Sequence, residues 1–313
     1  MSEPANLKRR AATASVVLAI LLIGAKVVAT LRTGSVAMLG SLADSALDLL
    51  ASLITLMAVR IASTPADDNH RFGHGKAEAI AALVQTGIIL ASALGIGWRA
   101  VLRIIDPEPV SAPLMGVGVS LLAIVATLGL VAYQRSVVRR TGSIAINTDM
   151  LHYQSDLLLN ASVILALGLE SGLGLTGADS AFGLLIALYL AWGALSNARH
   201  AIDMLMDKEW APERRAQVVQ LAAAHPEVKG VHELRTRSSG TDDFIQFHIW
   251  VHPAMTLEEA HRVSDEVEAQ VRQGFPQADI LIHVDPEGHI EENERGMEPL
   301  PNQPIPDQKD LRA

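Results

Sequence analysis

The chain has 313 residues, half of them hydrophobic, few aromatics and a formal net charge of −9. A mean hydropathy of +0.27 is high for one soluble domain, and apolar runs of about 18 residues or more read as membrane spans. The acidic balance, with no long stripe of Lys and Arg, excludes a nucleic-acid partner; the absence of cysteine excludes disulfides and thiolate metal sites, leaving His and carboxylates for ions such as Zn²⁺, Fe²⁺ or Mn²⁺.

In chain order, residues 1–10 read as a cytoplasmic N-terminus. Lys8, Arg9 and Arg10 precede an apolar run too long for the core of a signal peptide, so the run is a retained first helix. It is the first of six spans: Ala11 to Leu31, Val36 to Ile61, Lys76 to Ile105, Pro113 to Val138, Ser143 to Leu169 and Ala178 to Leu205. Each is long enough to cross a hydrocarbon core of about 30 Å as a helix. Basic residues gather at the N-terminus, in the loop with Arg60, Arg71 and Lys76, and in the loop with Arg135, Arg139 and Arg140, which directs both termini to the cytoplasm. Residues 11–206 thus form a six-helix transmembrane domain.

Charges inside spans are costly and mark pathways or sites. The second span reads "LADSALDLL", with Asp44 and Asp48 four residues apart, and the fifth reads "DMLHYQSDLLLN", with His152 and Asp156 at the same spacing. That spacing puts each pair on one helix face, about 6 Å apart. Two such helices face to face supply three carboxylates and an imidazole, a shell of the kind tetrahedral Zn²⁺ takes. The alternative is that each pair only hydrogen-bonds within the bundle. Asn160 and Ser41 are further pore-lining or supporting groups, or simply polar packing residues. Between the second and third spans, "PADDNHRFGHGKAE" gathers Asp67, Asp68, His70 and His74 beside Lys76; a solvated loop is the plain alternative there.

From Asp207 the composition turns polar. Residues 207–290 predict a helix opened by Pro212, strands "VHELRTRSSG" and "DDFIQFHIWVH" around a Ser-Ser-Gly-Thr turn, a helix "TLEEAHRVSDEVEAQVRQGF", and a strand "ADILIHVDP". The order αββαβ gives a small α+β domain, ferredoxin-like or metallochaperone-like, with helices on one face. His232, His248, His283 and Asp285 fall on strands, His283 and Asp285 on one face, and His261 on the second helix can reach the same place. His200, His225, His252 and His289 are read as surface or capping residues. The acidic tail, residues 291–313, is expected to be disordered.

The DxxxD and HxxxD helices and the segment "DDNHRFGHGKAE" resemble the cation diffusion facilitator family, in its bacterial zinc and ferrous-iron efflux branch, from the first helix to about Pro286. The resemblance implies a homodimeric, proton-coupled antiporter of the bacterial inner membrane that exports divalent cations. It places the transport site on Asp44, Asp48, His152 and Asp156, with the single His associated with preference for Zn²⁺ and Cd²⁺. It implies a second metal site on Asp67, His70 and His74 and a binuclear cytoplasmic zinc site on His232, His248, His261, His283 and Asp285. It also implies a charge interlock between Lys76 and Asp207. Independently of the family, imidazole and carboxylates must release protons to bind a metal, so competition at one alternately exposed site makes an exchanger. The rivals are a membrane-embedded metalloenzyme, disfavoured by the lack of HExxH and of an open coordination position, and a passive channel or sensor.

Overall fold

The structure is a computed structural model describing residues 3–33, 36–105, 114–173, 177–240 and 242–289; the expectation of a disordered tail falls outside them. The chain divides into two compact units, Met1–Leu205 and Met206–Ala313.

The first unit is helical: α1 (Glu3–Thr33), α2 (Val36–Ala62), α3 (Ala77–Ile105), α4 (Leu114–Thr141), α5 (Ile144–Leu173) and α6 (Ala178–Leu205). Among the described residues, four helices carry an apolar stretch long enough to cross a membrane, Glu3–Val28, Ser45–Ala62, Ala77–Ile105 and Ser180–Leu205. α4 passes to α5 through Gly142, whose φ of +62° suits glycine. Ser143 then caps α5, its Oγ accepting from the Ile146 N–H at 3.3 Å.

Small residues let the helices approach closely: Ala11, Ala12 and Ala145 are buried in one cluster with Leu56, Val59, Val137 and Ile146, and Ala79, Ala82 and Ala201 form another. Large apolar side chains such as Leu31, Leu94, Ile105, Leu188 and Trp192 point outward, where lipid rather than water would receive them.

The first helix begins at Glu3, not Ala11, so Lys8, Arg9 and Arg10 lie on it. Lys8 is no solvated anchor. It is 2% exposed, its Nζ donates to Glu78 Oε1 at 2.9 Å, and Ser143 Oγ donates to the other Glu78 oxygen. A buried ammonium requires such a partner, and the pairing draws α1 onto α3 and α5.

The second unit has the expected order: α7 (Pro212–Ala223), β1 (Gly230–Ser238), β2 (Asp243–Val251), α8 (Leu257–Gly274) and β3 (Ala278–Pro286). The sheet order is β1-β2-β3, with β1 and β2 antiparallel and β2 and β3 parallel. Thr256 and Glu259 form a capping box at the start of α8. Alternation on β2 sends Ile245, Phe247, Ile249 and Val251 into a core with Val218 of α7 and Val263, Val267 and Val271 of α8. The same alternation turns Gln246, His248 and Trp250 to the face that the helices leave open.

Candidate metal centres

In the helical unit, α2 and α5 bring Asp48, His152 and Asp156 together, with one ligand atom from each within 4.8 Å of the others. His152 Nε2 lies 2.9 Å from Asp48 Oδ1, and the His152 side chain is 10% exposed and that of Asp48 16%. Asp44 lies on α2 one turn before Asp48, but its side chain, like that of Ser41, falls outside those described. Asn160 is committed to its own helix, its Nδ2 donating to the Asp156 carbonyl at 2.7 Å.

Two ionisable groups of the helical unit escape a reading by i, i+4 pairs. Lys26 on α1 donates to Ser45 Oγ at 2.6 Å, and Ser45 adjoins Asp44. Asp149, one turn before His152 on α5, is fully buried. It accepts from Gln134 Nε2 at 2.7 Å and lies 3.4 Å from Ser52 Oγ. Ser52 is also 2.9 Å from the Tyr153 hydroxyl, which donates to the Ser15 carbonyl at 3.1 Å. Buried polar groups linked across α1, α2, α4 and α5 form one network. The signal was available: a carboxylate and a lysine inside apolar spans each demand a partner.

The loop between α2 and α3 gathers Asp67, His70 and His74 within the same 4.8 Å limit. Asp67 accepts the backbone N–H groups of Asn69 and His70 at 2.9 and 2.7 Å. The bond from His70 is the main reason its carboxyl is held below the usual carboxylate range. Its oxygens lie 3.2 Å from His70 Nδ1 and 3.4 Å from His74 Nε2. Asp68 turns instead to Arg71 at 3.2 Å.

On the open face of the sheet, register does the positioning. His232 pairs with His248 and His248 with His283, so the three histidines form a row across β1, β2 and β3. Their ring centroids are 5.1 and 4.7 Å apart. Asp285, beside Trp250 in the register, is buried; its Oδ2 lies 2.9 Å from His248 Nδ1 and 3.3 Å from His232 Nε2, and its Oδ1 3.3 Å from His283 Nε2. Burial, reinforced by the neighbouring His248, keeps the His232 pKa low, favouring the neutral form that binds metal. Trp250 packs against His232 with the rings tilted by 34° and their centroids 4.6 Å apart. Gly230 makes room for it, since a Cβ there would stand 2.7 Å from the indole.

His261 does not join this row. It is 76% exposed and 3.7 Å from Asp265 on α8, the helix whose valines cover the opposite face of the sheet. Of the two readings of His225, surface or capping, the second holds: it is buried just past the end of α7, its Nδ1 accepting from the Glu227 N–H at 3.3 Å and its Nε2 2.8 Å from Glu266 Oε2. Of the interlock residues, Lys76 donates to the Leu205 carbonyl at 3.4 Å in the helical unit. In the second unit Asp207, at a φ of +53°, lies 3.6 Å from Arg237.

Carboxylates and an imidazole gathered between apolar helices, in a chain whose second unit carries its own histidine row, are the donor sets expected of a membrane cation transporter with a metal-binding cytoplasmic part. Residues 12–206 match the cation efflux transmembrane domain and residues 210–287 the cytoplasmic domain of cation efflux proteins. The cation-efflux pump FieF of Pectobacterium atrosepticum is 44% identical over 292 residues, 93% of this chain and 97% of that protein. FieF of Escherichia coli is 44% identical over 281 residues, 90% and 93% of the two chains. Among solved structures, the Zn form of CzrB is 34% identical, covering 28% of this chain and 99% of that one with a TM-score of 0.26. A variant of the MamM C-terminal domain is 27% identical, covering 25% and 99% with a TM-score of 0.24. The chain belongs to the cation efflux family, the cation diffusion facilitators, and is a transporter rather than an enzyme.

Proposed function

We propose that this chain is a proton-coupled antiporter that exports divalent transition-metal ions, Zn²⁺ foremost with Cd²⁺ and Fe²⁺, from the cytoplasm across a bacterial inner membrane. It would do so with six spans and both termini cytoplasmic. The observation that carries the reading is the convergence of Asp48, His152 and Asp156 from two helices within 4.8 Å. Asp44, on the same helix as Asp48, completes a four-ligand shell of three carboxylates and one imidazole.

Exchange follows from this chemistry. The 2.9 Å separation of His152 Nε2 and Asp48 Oδ1 is that of a hydrogen bond, so a proton occupies the line between two groups that a divalent ion needs deprotonated. Metal entering from the cytoplasm displaces protons, and protons entering from outside displace metal. When the site faces the two sides in turn, the inward proton gradient drives export.

Asp67, His70 and His74 offer three donors at a solvent-facing turn, a lower-affinity or regulatory site whose open positions water can fill. In the cytoplasmic unit, His232, His248, His283 and Asp285 fit a zinc centre: three imidazoles and a buried carboxylate converge, and the carboxylate supplies an oxygen to each side. Bound there, the metal would act as a cross-link between strands and between two copies of the chain. Because α8 lies on the other face, His261 can serve only if it comes from a second copy, which suits a homodimer. Lys76 and Asp207 are assigned to the charge interlock that the family resemblance implies.

Zinc uptake into proteoliposomes with an imposed pH gradient tests the reading. Uptake that needs the gradient, disappears in Asp48→Ala and is weakened in His283→Ala is the expected result. Uptake that persists in Asp48→Ala removes the intramembrane shell as the substrate site.

A further inference from the structure

Along a regular strand, His232 and Glu233 would point to opposite faces of the sheet. They do not, because β1 is irregular here. Its register against β2 shifts between His232 and Arg235, and Glu233 adopts a φ of +47°, a left-handed conformation that glycine or asparagine takes far more readily than glutamate. Val231 and Leu234 both enter the apolar core, leaving the two residues between them to the histidine face.

The Glu233 carboxylate is accordingly withdrawn from water. Its side chain is 7% exposed, with Oε2 3.5 Å from His248 Nε2 and 3.2 Å from Arg235 Nη2, which donates to it. Its Oε1 is buried and has no hydrogen-bond partner. A strained backbone and an unsatisfied buried oxygen at one residue are the trace of a functional constraint rather than of stability.

The two nitrogens of His248 face two carboxylates. Nδ1 lies 2.9 Å from Asp285 Oδ2, the oxygen that His232 Nε2 also approaches at 3.3 Å; Nε2 faces Glu233. A metal held by His232 and Asp285 therefore meets His248 through Nδ1, and Nε2 must then carry the ring's proton. We infer that Glu233 is a positioning residue of the cytoplasmic metal centre: its carboxylate, 3.5 Å from His248 Nε2, would accept the Nε2–H when metal is bound, fixing the tautomer and the ring plane that present Nδ1 to the ion. A ligating histidine commonly leans on a carboxylate in this way. The inference rests on the reading of His232, His248, His283 and Asp285 as ligands, and Arg235, with its side chain 57% exposed, balances the added negative charge.

The test uses the full-length protein in detergent with Asp48, Asp156 and Asp67 each changed to Ala, so that only the cytoplasmic centre binds. Zn²⁺ affinity is measured against a fluorescent chelator and the ligand field by the visible spectrum of bound Co²⁺, for Glu233→Gly, Glu233→Gln and Asp285→Ala. Glu233→Gly, freed of backbone strain, should match or exceed the parent in metal-free melting temperature yet bind Zn²⁺ about 10–100-fold more weakly with an altered Co²⁺ spectrum. Glu233→Gln, whose amide oxygen still accepts, should fall between. Parent-like affinity and spectrum in both Glu233 variants, with Asp285→Ala deficient, would overturn the role of Glu233 alone. Parent-like binding by Asp285→Ala as well would overturn the ligand reading beneath it.

Discussion

The intramembrane shell and the cytoplasmic histidine row draw on the same chemistry but are built by different rules. On α2 and α5 the donors come in pairs along each helix, and how near the pairs stand depends only on how two helices pack. On the sheet the donors come from three neighbouring strands, one each on β1 and β2 and two on β3, locked in register by backbone hydrogen bonds. A helix pair can slide or tilt without breaking its own hydrogen bonds, so its shell can open and close; a strand cannot shift without reversing which face its side chains occupy. Geometry that can change suits an ion that must leave, and geometry that cannot suits an ion that stays.

The sharpest break of that comparison is functional. Asp48→Ala should abolish metal transport in vesicles, whereas Asp285→Ala should leave it measurable while the purified protein loses cytoplasmic metal. Equal loss of transport in both would mean that the two centres act as one. Next in size is the clamp that holds the helices. Glu78→Ala strands the buried Lys8 ammonium and should lower the stability of the helical unit by about 3–5 kcal/mol, seen as a fall in melting temperature in detergent. Pairing it with Lys8→Met should recover much of the loss.

On the sheet side, Thr256→Ala removes the α8 capping box and should cost about 1 kcal/mol in the denaturant midpoint of the cytoplasmic unit. Transport should be unchanged. Last comes pH. Burial keeps the His232 pKa below the ordinary histidine value of about 6.5, so the unfolded chain takes up this proton first. The stability of the metal-free cytoplasmic unit is therefore fully present above that value and declines as pH falls from it toward the lowered folded pKa. His232→Gln should flatten the decline, and an unchanged slope would count against His232 as the cause.

Much of this was legible in the residues. The six long helices, the αββαβ order and the candidate donors on α2, α5 and β1 to β3 follow from apolar run length, alternation and i, i+4 spacing, which are local. What was not legible is non-local or irregular. No spacing rule connects Lys8 to Glu78, seventy positions away, or joins Asp149 to Gln134 and Ser15. His261 shares a domain with the other histidines, but only the packing of α8 shows that it lies behind the sheet. Glu233 was invisible because strand alternation puts it on the wrong face, and only the bulge turns it round.

Trp250 gives the cytoplasmic row an optical consequence. The indole lies against His232 in space that Gly230 leaves open, with its Nε1–H fixed to the His289 carbonyl at 3.0 Å. It is one of four tryptophans in the chain, and the one packed against the histidine row. Whatever occupies or vacates that imidazole alters the electronic surroundings of the fluorophore. Binding at the proposed cytoplasmic centre would then be readable in Trp250 emission, without a dye or an added label.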